Sequence, residues 1–228
     1  MSTNAEPRIY RYILTTDDGA APNPFGGFCT LAICKPGIRR TARHGDWVLG
    51  FQSRAHDRLI YAMEVQECLT FARYWKDPRF KRRRPSDRSI PTDNIYKPSG
   101  RMTIDGAPEL VWVPNNVHEK DHQRRDLSGK SVLIAERFWY FGSYAAPLPA
   151  RLAHLQPHSR GHVVQKNRRP DDVNILRNWL SVFELGMQSA PTHPSREGLT
   201  GVSCSSHVAA GRPASTCSPV SRRSRREC

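Results

Sequence analysis

Six short runs rich in β-branched and aromatic residues, cut apart by Gly, Pro and charged segments, constrain this chain more than any other feature. They occupy residues 8–15, 29–34, 46–51, 59–65, 110–113 and 131–141. Each is short and Val/Ile/Tyr/Phe-rich, as strands are. Within residues 59–65, Leu59, Tyr61, Met63 and Val65 alternate with Ile60, Ala62 and Glu64. That two-residue period predicts one apolar face. Helix signals fall between and after these runs. Pro170 opens the clearest one, with Asp171 and Asp172 at the positive end of the helix dipole. Val173, Leu176, Leu180 and Phe183 then recur at three- and four-residue steps, and Gly186 can end the segment. Shorter helices are predicted over 36–44, stopped by Gly45, and over 70–76, with Thr70 as N-cap and Asp77-Pro78 as the stop. A fourth follows Pro149. Strands with short inserted helices and a C-terminal helix predict an α+β domain on a twisted sheet or a pseudo-barrel. Residues 85–106 are dense in turn formers and read as a long excursion.

Composition sets the domain limits. Residues 189–228 have few large apolar groups and no periodicity, too little to offset the entropy of ordering. This basic Ser/Arg/Pro-rich segment is expected to be disordered from 188 onward, as is the N-terminus over 1–7, leaving one domain over 8–187. Six Arg against two Glu, a net +4 in the tail, leaves +10 of the chain's +14 on the domain. Such a charge favours polyanionic partners, DNA or RNA. No segment nears the ~20 apolar residues of a spanning helix, and residues 1–7 lack a secretory pattern. The expectation is a cytoplasmic protein with no membrane association. Only Cys29, Cys34 and Cys68 of the six cysteines fall in the domain, which argues against a disulfide framework. On a strand, five residues apart, Cys29 and Cys34 point to opposite faces and make a poor zinc pair. No metal or cofactor is expected.

Lys35, Arg39, Arg40 and Arg43 gather on one short helix, a cluster suited to phosphate or to a solvated face. Lys81, Arg82, Arg83 and Arg84 form a denser run that reads as phosphate contacts or as a solubilising turn. Residues 17–28, with Asn23 and Phe25, have the composition of a loop that walls a pocket or of a plain connection. Trp47, Phe51, Tyr61, Tyr74 and Trp75 interleave with the charge, and two or three of the aromatics are expected to line a pocket. Phosphate loops, nucleophile elbows and dinucleotide fingerprints are absent. His118 and His122, four apart, do not form His-Glu-x-x-His and read as surface loop.

Several of these stretches together resemble a known family. They are Ala21-Pro-Asn-Pro-Phe25, Cys29-Thr-Leu-Ala-Ile-Cys-Lys-Pro36, Ile38-Arg-Arg40 and Gly45-Asp-Trp-Val48. Leu69-Thr-Phe71, Asp77-Pro-Arg-Phe80, Asp93-Asn-Ile-Tyr96, Val132-Leu-Ile134 and Phe138-Trp-Tyr-Phe-Gly142 complete the set. The chain resembles the second of the nucleotide-modification-associated domains. Gly45-Asp46 followed by an apolar strand ending at Ser53, and then Leu59–Val65, also resembles the layout of PUA-like domains such as EVE and ASCH. The resemblance implies a pocket for a base or nucleotide, without an established chemistry. It places the strand end at Ser53 beside the ligand. Asn23, Phe25, Thr30, Trp47, Ser53 and Tyr61 are then the candidate base-binding groups. Lys35, Arg39 and Arg40 are the candidate phosphate ligands, supported by Arg43 and Lys81–Arg84.

The resulting expectation is a non-catalytic module that reads a base, a modified one among them, in DNA or RNA. The alternative is an enzyme on modified nucleotides using Asp17, Asp18 or Asp46. A third reading is an assembly subunit tethered to DNA by its basic tail.

Overall fold

The computed structural model describes residues 6–55, 57–87, 89–158, 161–164 and 169–193. The chain folds as an α+β protein in four layers. In chain order the first half gives β1 (Ile9–Leu14), β2 (Cys29–Leu31), α1 (Pro36–Thr41), β3 (Trp47–Gln52), β4 (Arg58–Glu64), β5 (Glu67–Thr70) and α2 (Phe71–Lys76). The second half gives β6 (Tyr96–Met102), β7 (Pro108–Trp112), α3 (Gln123–Leu127), β8 (Ser131–Ala135), β9 (Phe138–Tyr140), β10 (Ala146–Pro147), β11 (His162–Val164), α4 (Asp172–Leu180) and β12 (Gly186–Met187). Seven strands form the main sheet in the order β11-β1-β3-β4-β9-β12, with β10 paired to β4. The sheet stays open, because β11 and β12 at its two ends do not pair. Of the two sheet forms expected, the open one is found.

A second, antiparallel sheet, β2-β8-β5, lies across one face, and the β6-β7 hairpin stands apart. Tyr10, Tyr12, Val48, Tyr61 and Tyr140 of the main sheet meet Cys29, Leu31 and Leu133 of the second in one core. On the opposite face of the main sheet, Ile9, Trp47, Leu49, Phe51 and Trp139 pack against Val173, Leu176 and Leu180 of α4. A third core lies beyond the second sheet, where Val132 and Ile134 meet Phe71, Tyr74, Phe80 and Tyr96.

Four elements depart from the sequence reading for identifiable reasons. The 59–65 alternation breaks at a bulge, since Phe51 pairs with Leu59 while Gly50 pairs with Tyr61. Leu59 therefore joins the α4 core, and Ile60 joins Tyr61 and Met63 in the core between the sheets. The run 131–141 is two strands, broken at Glu136-Arg137 and contributed to different sheets. The run 29–34 is extended only through Leu31, because Cys34 and Lys35 both adopt positive φ. The segment after Pro149 is a 3-10 helix, Ala150–Leu155, rather than an α-helix. Thr70 does cap α2, its hydroxyl accepting from Arg73 N at 3.3 Å.

The domain also continues past residue 187. Gln188 N donates to Tyr140 O and Ser143 N to Ala190 O. Pro191 is buried, and Thr192 donates twice to the Asp17 carboxylate, at 2.9 and 3.0 Å. Residues 188–193 are thus attached to the domain through backbone groups and small side chains, which hydrophobic periodicity does not register. The rest of the expected tail, from 194, and residues 1–5 lie outside the described residues.

Candidate functional site

The turn that ends β2 builds the site. After Leu31 the chain reverses through Ala32–Cys34, and Cys34 (φ 58°) and Lys35 (φ 42°) both sit in the left-handed region before Pro36 opens α1. Two successive non-glycine residues in that region are uncommon and strained. The cost is met by anchoring. Cys34 N donates to Asp126 Oδ1 at 2.9 Å, and Cys34 O accepts from Arg39 Nε at 2.6 Å.

His118 reaches Cys34 from the loop after β7. Asn115 Oδ1 accepts from the amides of Val117 and His118, at 2.9 and 2.8 Å, and Trp112 Nε1 donates to His118 O at 3.0 Å. The loop so fixed places His118 Nε2 3.2 Å from Cys34 Sγ and His118 Nδ1 2.7 Å from Asp126 Oδ2. Tyr96 OH donates to the same carboxylate at 2.8 Å. Cys34, His118 and Asp126 are 6%, 4% and 0% exposed, so all three members of the row are buried. An ionised carboxylate only accepts. The proton shared with Asp126 therefore sits on His118 Nδ1, and Nε2 faces the sulfur.

Arg39 supports this row from beneath. It is fully buried, donating to Asp126 O at 2.6 Å and Ser131 O at 3.0 Å, with Asp126 Oδ1 at 3.8 Å. A Cβ at Gly129 would come within 2.6 Å of the guanidinium, so only glycine leaves it room. Burial lowers the Arg39 pKa to about 10, against the pull of Asp126. For Asp126 burial works upward, yet the hydrogen bond and charge of His118, with Tyr96 and Arg39, hold its carboxyl below the usual value. Because the folded value lies below the unfolded one, this stability is complete above the ordinary carboxylate range, ~pH 4. It is lost as pH falls through the lower folded value. The gap in unfolding free energy between the parent and Asp126→Asn should be constant from about pH 7 to 5 and shrink below ~pH 4. A pH-independent gap would show that the charge of Asp126 does not contribute.

Cys34 lines an open cleft whose empty space, counted out to solvent, is about 570 Å³. Leu14, Ala20, Ala21 and Ile33 give it an apolar lining, while Thr15, Thr16, Asp18, Lys35 and His122 supply polar groups beside Cys34 and His118. Lys35 Nζ lies 4.5 Å from the Tyr12 ring centre. His162 is held below its ordinary pKa by burial and then by the positive charges of Lys35 and Arg40. These three groups thus share one edge of α1.

Of the base- and phosphate-binding residues proposed from sequence, Lys35 alone lines this cleft. Asn23, Phe25 and Thr30 do come together, but as buried structure. Arg83, 2% exposed, donates to the carbonyls of Asn23, Phe25 and Phe28 and to Thr30 Oγ1, 3.5 Å from Asp93. Trp47 is fully buried and stacked on Trp139 at 6.1 Å. Tyr61 is buried, its hydroxyl 2.9 Å from that of Tyr12. Neither ring has a face to offer a base. Arg39 and Arg83 are correspondingly not phosphate contacts, since both guanidinium groups are consumed by internal acceptors. Arg84 is half-buried against the Trp75 ring. Ser53, Arg40, Arg43, Lys81 and Arg82 are exposed, and none lines the cleft.

The alternative acids divide similarly. Asp46 is tied to Arg8 at 2.7 Å and to Arg43 N, a turn-forming role. Asp17 is buried against Tyr140 and Thr192. Asp18 lines the cleft. His118, expected in a surface loop, is instead buried and bonded at both ring nitrogens. His122 stacks edge-on to it at 4.8 Å. Among the described residues no group of three or more His, Cys, Asp and Glu is placed to hold a metal. Likewise, no helix there is long and apolar enough to cross a membrane.

The fold defines an α+β protein with a mainly apolar cleft whose lining includes Cys34 and His118. The chain belongs to the nucleotide modification associated domain 2 family, whose model matches residues 6–197. That match covers the strands, the cleft and the segment through residue 193, and sets the chain in the context of nucleotide modification. No curated protein and no solved structure matches it.

Proposed function

We propose that the chain binds a nucleotide, free or as one exposed base of a DNA or RNA strand, in the Cys34 cleft. The observation that carries this reading is the composition of the cleft wall. An apolar lining of Leu14, Ala20, Ala21 and Ile33 suits the flat face of a base. Thr15, Thr16 and Asp18 can pair with base-edge or sugar groups, and Lys35 supplies a cation for phosphate. The exposed Arg40 beside Lys35 and the net charge of +14 would draw a strand to this edge. Family membership agrees with this choice of ligand. The pocket differs from the one expected through Trp47, Ser53 and Tyr61, lying at the end of β1 and the β2–α1 turn.

Titration with deoxynucleoside monophosphates and with a short single-stranded oligonucleotide tests the reading. Lys35→Ala should weaken monophosphate binding about tenfold, or ~1.4 kcal/mol. It should also lower the salt dependence of oligonucleotide binding by roughly 0.7 of a log–log unit, one phosphate on a single strand. Arg82→Ala, away from the cleft, should leave monophosphate binding unchanged. Equal binding by the parent and Lys35→Ala would remove the cleft as the site.

A further inference from the structure

We propose that Cys34, His118 and Asp126 form a nucleophilic centre that attacks an acyl or amidine carbon carried by the bound nucleotide. The identity of the substrate rests on nucleotide occupancy of the cleft. The chemistry of the centre rests on its own geometry.

That geometry meets the three requirements of an activated thiol. A base must touch the nucleophile, and His118 Nε2 lies 3.2 Å from Cys34 Sγ. A third group must fix the base, and Asp126 accepts from the opposite ring nitrogen at 2.7 Å. A ligand must be able to approach, and Cys34 and His118 both belong to the cleft lining. Asp126 is a positioning residue, itself held by the Cys34 amide, Tyr96 and Arg39. A purely structural thiol–imidazole contact would need neither the left-handed backbone at Cys34 and Lys35 nor a place in the lining of a cleft. The strained strand-to-helix turn is the arrangement that projects a nucleophile from a scaffold. Cys29, deep in the core between the sheets, shows the contrast, with burial pushing its thiol far up.

An acyl or amidine carbon is the electrophile that this set can process without a further reagent. His118 Nε2 takes the thiol proton, and the sulfur electron pair forms an S–C bond while the C=O or C=N π pair moves to its heteroatom. Collapse restores that double bond and breaks the bond to the leaving nitrogen or oxygen, which takes the proton from His118. Water, deprotonated by the same nitrogen, adds to the thioester or thioimidate carbon. The C–S bond then breaks and the sulfur recovers its proton. The net change is hydrolysis, with water as the only co-reactant. Amide or ester substituents on a modified base, and the amidine edges of ordinary bases, present such carbons.

The full chain can be tested with iodoacetamide and with p-nitrophenyl acetate, each site being followed by peptide mapping. Cys34 should be alkylated at pH 6 at least tenfold faster than N-acetylcysteine in the same buffer. Its rate should plateau toward low pH, whereas an unassisted thiol keeps falling below ~8.5. p-Nitrophenyl acetate should acetylate Cys34 and then be turned over. His118→Gln should abolish the advantage. Asp126→Asn should shift the rate–pH profile of Cys34 upward, a change that loss of packing alone would not produce. Should either variant fail to fold, the parent's own profile decides. A Cys34 no faster than N-acetylcysteine at pH 6, or one whose rate follows an ordinary thiol, overturns the proposal. Protection of Cys34 by deoxynucleoside monophosphates reads the nucleotide site separately. Fast alkylation without protection keeps the nucleophile and removes the nucleotide, and binding with an inert Cys34 does the reverse.

Discussion

Arg83→Met should be the costliest single change in the basic run, lowering stability by ~3–5 kcal/mol. The guanidinium is 2% exposed and sits 3.5 Å from a carboxylate, Asp93, that is itself 1% exposed. Burial pushes the Asp93 carboxyl up, while Arg83 and the hydroxyls of Thr30 and Tyr74 oppose that shift. Removing the cation leaves a buried acid with hydroxyl partners only. It also strips donors from the carbonyls of Asn23, Phe25 and Phe28. Those carbonyls belong to the loop that continues back to Asp18, Ala20 and Ala21 in the cleft wall. Loss of Arg83 should therefore loosen the cleft as well as the core. Urea unfolding of Arg82→Met and Arg83→Met provides the check. Arg82 is exposed, and its replacement should stay within ~0.5 kcal/mol. Equal shifts for the two variants would refute the assignment.

Arg83 also shows where sequence reasoning stops. Four consecutive cations read as a solvated or phosphate-binding run, and nothing in their identity says which one turns inward. The decision is made by the 3-10 helix Pro78–Arg83, in which residues three apart share an edge. Phe80 is apolar and must be buried, and Arg83, three residues on, goes inward with it. The available hint was Asp93, a lone acid just ahead of the apolar Ile95-Tyr96 and in want of a cation. The α+β class, the position of α4 and the cap at Thr70 were legible, because periodicity and capping chemistry are local. The bulge that turns Leu59 away from Tyr61, and the break at Glu136-Arg137, were not. Both depend on which strand lies alongside.

The candidate site was less legible than the fold. Lys35 and Asp18 were among the residues considered, and both line the cleft. Cys34, His118 and Asp126 are spread over 92 residues and share no motif, since their meeting depends on the β2–α1 turn packing against the loop after β7. Treating 29–34 as one strand placed Cys34 on a pleat, where its neighbours would be strand residues. Pro36 after Lys35 was the local clue that the extended run ends early. A proline at the first helical turn requires a change of direction just before it.

Arg39→Met should destabilise the domain by ~3–5 kcal/mol and disturb the site. The sequence places Arg39 and Arg40 side by side on α1, yet Arg39 is fully buried and Arg40 is exposed. Arg39 donates to the carbonyls of Cys34, Asp126 and Ser131, joining the turn, α3 and β8. It also sets a positive charge 3.8 Å from Asp126 Oδ1. Methionine fills similar space without the charge or the donors. Three carbonyls then lose a partner, and the acid that fixes His118 loses its cation. Arg39→Lys should fall between Met and the parent, because an ammonium keeps the charge but cannot span three carbonyls with a planar fork. Arg40→Ala should leave stability within ~0.5 kcal/mol. Urea unfolding orders the four proteins, with parent and Arg40→Ala together, then Arg39→Lys, then Arg39→Met. If Arg39→Met and Arg40→Ala unfold at the same urea concentration, Arg39 is a surface cation and the phosphate-contact reading returns. The indole fluorescence of the folded variants then separates stability from site geometry. Trp112, whose Nε1 bonds His118 O, should respond to Arg39→Met even in the absence of urea.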